Sequence, residues 1–191
     1  MLLSADILKP WFDAAEPFDA FVAGADLGHQ STWNERFHRL ELDDDQHRVV
    51  DGFQRHMRIL SLSGRWCGDC ALQGAALARI AHAAVDRIDL RFLERRDETA
   101  ELAVTCMINA GARVPVTWLM AEDGAPAARF GDRTLSRYRS LAVKALGDSA
   151  NVLAKPPDDP VREVLQEVLD EIERAQWLLR FSPRLRALHG D

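Results

Sequence analysis

Two cysteines separated by two residues, in Trp66-Cys67-Gly68-Asp69-Cys70, constrain this chain more than any other feature because of what flanks them. Met57 to Ser63 is apolar and β-compatible, as a buried strand is, and Ala71 to Ile80 has the composition of a helix. The pair therefore sits where a strand turns into a helix. At a helix start the unpaired backbone N–H groups and the macrodipole favour negative charge, so Cys67 is placed to exist as a thiolate. Free cysteine titrates near about 8.5, and CxxC cysteines at such positions fall to about 7 or below. Cys70 follows one turn later on the same face, within reach to resolve a mixed disulfide. The chemistry this points to is thiol–disulfide exchange, with Cys67 as nucleophile and Cys70 as resolving thiol.

A zinc site is the competing use of such a pair, but it needs two more ligands, usually a second close pair. The one other cysteine is Cys106, and histidines 29, 38, 47, 56, 82 and 189 show no HxxxH-type spacing. No metal is expected. Cys106 falls in the apolar part of an expected crossover helix, Glu98 to Ala110, and reads as a small buried hydrophobe rather than a regulatory thiol.

Trp-Cys-Gly-x-Cys after a central strand resembles the active site of the thioredoxin superfamily. A second landmark supports the resemblance: Val114-Pro115 at the head of the run Val116-Thr117-Trp118-Leu119-Met120 matches the β-branched residue and cis-proline that face the disulfide in that superfamily. The match covers roughly Met57 to Gly147 and implies an α/β thioredoxin-like fold, a central mixed sheet flanked by helices. Residues 1–56 then form a helical N-terminal extension, 57–147 the core, and 148–191 a linker and C-terminal helix, all within one domain. Within that superfamily the chain resembles bacterial thioredoxin-like proteins that carry Trp-Cys-Gly-Asp-Cys and extra N-terminal helices. The resemblance further implies that Trp66, Val114 and Pro115 frame the substrate groove, that the substrate backbone pairs beside Val114, and that no cofactor is needed. Substrates would be protein or small-molecule disulfides and thiols, with electrons supplied by a donor the sequence does not name.

The chain also departs from that pattern. The buried acid usual six residues before the nucleophile is Ser61, and the lysine of the next strand corresponds to Leu93. Proton transfer at Cys70 thus lacks its usual assistant, which leaves open a redox-sensitive binding module without efficient turnover. The usual proline five residues after the second cysteine is Ala75, with Gly74 beside it as a place for a bend. Asp69 lies inside the motif. At ~7 Å from the Cys67 sulfur, with an effective dielectric of about 40, its charge opposes the thiolate by about 1 kcal/mol, slightly under one pKa unit. Arg65 is the expected partial offset, and the alternative is that Asp69 points into water and caps the helix.

At 191 residues, 47% hydrophobic and 28% charged, the chain can bury a sizeable core. A net charge of −6 gives no basic stripe for phosphate, so nucleic acid is not an expected partner. The N-terminus has no basic segment ahead of an apolar one and no stretch has bilayer length, so the expectation is a cytoplasmic protein without membrane association. Helical pieces are expected around Ile7–Phe12 and Phe18–Val22, a helix over Asp43 to His56, and a half-wet strand at Arg87 to Leu93. Glu122-Asp123-Gly124-Ala125 is a hairpin turn leading to a strand over Ala127 to Phe130. Asp159 and Pro160 open a last helix as N-cap and first residue. Its stripe from Val161 through Val168 to Ala175 must dock on its own domain or on a second subunit, the first being the simpler expectation.

Overall fold

Four strands make one mixed sheet in the order β2-β1-β3-β4, in a computed structural model that describes residues 3–150 and 156–191. β1 (Met57–Ser63) runs parallel to β2 (Ile88–Glu94) and antiparallel to β3 (Val116–Ala121), which pairs antiparallel with β4 (Pro126–Gly131). β1 and β3 are central, and their near-continuous burial explains the unbroken apolar runs. β2 is an edge strand whose Asp89 is exposed, and Glu16 bridges it at Phe92. The β3–β4 hairpin turns through Gly124 at φ +84°.

Ahead of the sheet lie α1 (Ala5–Ala14), α2 (Phe18–Ala23), α3 (Leu27–Arg39) and α4 (Asp44–Asp51). α4 stops short of the expected Asp43–His56 span. Asp43 and Gln46 close a capping box at its start and Gly52 caps its end, leaving Phe53 buried on the connection to β1. α5 (Gly68–Ala83) follows the cysteine motif. The crossover helix is also shorter than expected: α6 spans Ala100–Thr105, ending where Ile108 and Gly111 bridge through Asn109 and Ala110 at positive φ. α7 (Leu135–Leu146), α8 (Pro160–Arg180) and α9 (Pro183–His189) complete the chain. Part of the expected linker, 151–155, lies outside the described residues.

α5 decides the packing. From Ala71 to Ile80 its residues are apolar or small apart from Gln73 and Arg79, because the helix is covered nearly all round rather than on one face. α3 and α8 flank it, so both terminal additions share its core with the sheet. Trp33 of α3 presses onto Gly74, where a Cβ would stand 2.4 Å from its ring, so this glycine provides close approach rather than a bend. α8 is capped by Asp159, which accepts from the Val161 and Arg162 N–H groups. Its stripe Val164, Leu165, Val168, Leu169 and Ile172 is buried in the same cluster, so it docks on its own chain. A second cluster on the other face joins Leu8 and Phe12 of α1 to Leu62, Leu93, Cys106 and Trp118. Cys106 is 2% exposed there, among hydrophobes.

Candidate active site

The end of β1 delivers Gly64, Arg65 and Trp66 into the first turn of α5. Arg65 is fixed at both backbone and side chain by segments that precede the sheet and by the end of β2. Trp33 Nε1 donates to its carbonyl at 2.9 Å, while its guanidinium donates to the Phe21 carbonyl at 2.7 Å, pairs with Glu16 at 2.8 Å and pairs with Glu94. A Cβ on residue 24 would meet this guanidinium at 2.5 Å, which accounts for Gly24. Arg65 therefore does not offset Asp69, as its place in the sequence suggested; its charge is answered by carboxylates of the N-terminal extension and β2. Trp66 is 60% exposed on the rim.

Cys67 is the N-cap of α5, and its half-buried sulfur accepts from the Cys70 N–H at 3.2 Å. Its pKa is lowered to about 7, chiefly by the hydrogen bond from the Cys70 thiol; burial opposes this, the Cys70 and Asp69 N–H groups add to it, and the Asp69 charge opposes it. Cys70 is wholly buried and its thiol is pushed well above its ordinary value, first by burial and then by Cys67. The Val114 carbonyl lies 4.0 Å from the Cys67 sulfur, and the Val114–Pro115 bond is cis. Val114 is half-buried and Pro115 buried, so the two sulfurs and the proline-bearing loop converge while Trp66 stands at the edge.

Asp69 neither faces water nor caps the helix. Its carboxylate, 13% exposed, accepts from Arg133 Nε and Arg137 Nε at 2.6 Å each. Both arginines come from the β4–α7 connection and α7. Next to them Asp132 accepts from Arg113 at 3.0 Å and from the Tyr138 hydroxyl at 2.7 Å, tying α7 to the loop before Pro115. Burial acts to raise the Asp132 carboxyl, but the hydrogen bonds from Tyr138 and Arg113 outweigh it and hold the group below its ordinary value. β4 comes close enough for this because residue 131 is glycine: φ is +143°, and a Cβ would lie 2.4 Å from the Pro115 carbonyl oxygen. Nothing in the sequence marks Arg133 and Arg137 as partners of a residue more than sixty positions earlier.

Ser61, in the position of the usual acid, is buried beside Ser63 and Thr117. The residue across from it on β2 is Phe92 rather than Leu93, which pairs with Leu62 on the opposite face. The register thus moves the residue matched to the lysine by one. Among the described residues, no group of three metal-ligating side chains forms.

A family model described as thioredoxin matches residues 15–139. The chain belongs to the thioredoxin family. Its fold is similar to that of a protein of unknown function from Pseudomonas aeruginosa, with a TM-score of 0.68 and 21% identity over 86% of this chain and 96% of that one. An HIV epitope scaffold is similar as well, with a TM-score of 0.64 and 17% identity over 87% of this chain and 95% of that one. Such coverage includes terminal helices, so these belong to a shared architecture. No curated protein matches the sequence. As a thioredoxin-family chain it is connected with redox function, and among the described residues no helix is long and apolar enough to cross a membrane.

Proposed function

We propose that the protein is a thiol–disulfide oxidoreductase acting through Cys67 and Cys70. The observation that carries this reading is the asymmetry of the two thiols: one half-buried with its pKa lowered to about 7, the other sealed and raised. The Cys67 thiolate attacks a substrate disulfide, one substrate sulfur leaves as a thiol after protonation, and a mixed disulfide forms. Cys70 then loses its proton and attacks the Cys67 sulfur, releasing the second substrate thiol and leaving the Cys67–Cys70 disulfide. A thiol donor reverses the sequence to restore the reduced pair. Trp66, Val114 and Pro115 frame the groove, with an extended substrate backbone beside Val114. Protein or small-molecule disulfides in a cytoplasmic setting fit this proposal, with the described residues of the 1–56 and 148–191 segments parts of the same folded unit.

Iodoacetamide should label Cys67 first, with a rate that rises through a midpoint near pH 7 and falls at pH 6 to about a tenth of its plateau. Peptide mapping that finds Cys70 faster reverses the roles. Cys67→Ser should abolish dithiothreitol-driven insulin reduction, and Cys70→Ser should accumulate mixed disulfides. The second reading, a redox-sensitive binding module, is favoured by Ser61 and Phe92 standing where an acid and a lysine are usual. A single slow oxidation in place of repeated turnover would select it.

A further inference from the structure

The sequence replaces the usual buried acid by a serine, and the fold supplies something else in its place. Ser61 and Ser63 project from the same face of β1, and the antiparallel register sets Thr117 of β3 directly opposite Ser61. Thr117 Oγ1 donates to Ser61 Oγ at 3.2 Å and the Ser61 and Ser63 hydroxyls lie 3.1 Å apart, while Ser63 acts to lower the Cys70 pKa against the larger effect of burial. All three residues and Cys70 are 0% exposed. The Gly64 N–H, next along the chain from Ser63, donates to the Cys70 sulfur at 3.4 Å.

Burying hydroxyls in a sheet centre costs free energy unless each finds a partner, and alanine or valine would fill this space without that cost. The chain of hydroxyls ends at Ser63, directly before Gly64, whose N–H contacts the one sulfur that must ionise in a dry site. We propose that Ser63 is a catalytic residue whose hydroxyl donates to the Cys70 sulfur as its thiolate forms, with Ser61 and Thr117 as positioning residues that orient and polarise it. The inference rests on the exchange reading above.

The step balances without a further reactant. Cys70 gives up its proton, a Cys67–Cys70 S–S bond forms, the Cys67–substrate S–S bond breaks, and the departing substrate sulfur takes the electron pair and ends with a proton. Ser63 keeps its own proton throughout; it supplies charge-assisted hydrogen bonding where a carboxylate would act as a base. Aligned hydroxyls strengthen one another in such a chain. The titrating group that acts on Cys70 is Cys67, while the charged neighbours in sequence, Arg65 and Asp69, are engaged by Glu16 and Glu94 and by Arg133 and Arg137.

Reaction of the reduced protein with Ellman's reagent separates the two steps. A first release of thionitrobenzoate reports attack by Cys67, and a second reports resolution by Cys70; Cys106, buried on the other sheet face, gives no fast release. Ser63→Ala should lower the ratio of second-phase to first-phase rate about tenfold at pH 7, equivalent to one lost hydrogen bond of about 1.4 kcal/mol, and move the pH midpoint of the second phase upward. Ser63→Thr should restore both. Thr117→Val, which removes no contact to Cys70, should lower the ratio about twofold. A folded Ser63→Ala protein with the wild-type ratio and midpoint overturns the proposal. Should that variant not fold, a Thr117→Val protein with an unchanged ratio overturns the chain of donors. Release of one thionitrobenzoate rather than two by the wild-type protein instead overturns the exchange reading on which this rests.

Discussion

Arg65 and Asp69 flank Cys67 with opposite charges four residues apart, yet they never meet. On one side, Arg65 is a buried cation held by Glu16 and Glu94 and by the Phe21 carbonyl. On the other, Asp69 is an anion gripped by Arg133 and Arg137 at the end of the sheet. Each charge is answered by a different part of the chain: the N-terminal extension with β2 for the first, and the β4–α7 connection with α7 for the second. The difference lies in consequence. The Arg65 side is deeply packed and holds the loop in place, whereas the Asp69 side is about a third exposed at its arginines and adjusts the field at Cys67.

If the Arg65 side is structural, Arg65→Ala should show the largest effect. Removing this buried cation leaves Glu94 with Arg96 alone, Glu16 without its partner and the Phe21 carbonyl without its donor, so a loss of about 2 to 3 kcal/mol is expected. Chemical denaturation of the reduced protein measures it, and a loss below about 1 kcal/mol would erase the contrast between the two sides.

The double substitution Arg133→Ala, Arg137→Ala should change stability less but alter Cys67 more. Freed of its clamp, Asp69 opposes the thiolate with less compensation, which should raise the Cys67 pKa from about 7 by about half to one unit. Ultraviolet thiolate titration reads the shift, and alkylation at pH 7 should slow about threefold. A pKa that falls would mean that the arginines do not act through Asp69.

Asp69→Asn has the smallest expected effect and the opposite sign. The Asp69 charge raises the Cys67 pKa, so its removal should lower that pKa by about half a unit. A better-stabilised thiolate stabilises the reduced form, so the disulfide should become more oxidising in a glutathione equilibrium. Paired with the double arginine variant, the two shifts of opposite direction test whether Asp69 and its clamp tune the nucleophile; an unchanged or higher pKa in Asp69→Asn removes that role.

Local chemistry makes much of this protein legible in its sequence. Strand β1, the cysteine turn, the hairpin at Gly124 and the Asp159-Pro160 start of α8 each depend on residues within a few positions of one another. Burial of the α8 stripe follows from its period, and the cis Val114–Pro115 bond agrees with the family resemblance. Helix ends are less legible. α4 and α6 stop where Gly52 and the Ile108–Gly111 bridge redirect the backbone, and Phe53 beyond α4 is buried in a connection rather than in a helix.

The sequence by itself determined which atoms can do chemistry here: two thiols at a helix start, an acid between them, and hydroxyls where an acid is usual. Only the tertiary structure decided which charge faces which. Arg65 and Asp69 are neighbours along the chain, but their side chains leave the turn toward different neighbours, and ion pairs form across space wherever packing brings opposite charges together. The same holds for the hydroxyls. Ser61 and Ser63 are two positions apart and share a face by strand geometry, but Thr117 joins them through the β1–β3 register. That pairing is set by burial of both strands across the sheet, information that no short stretch of sequence carries.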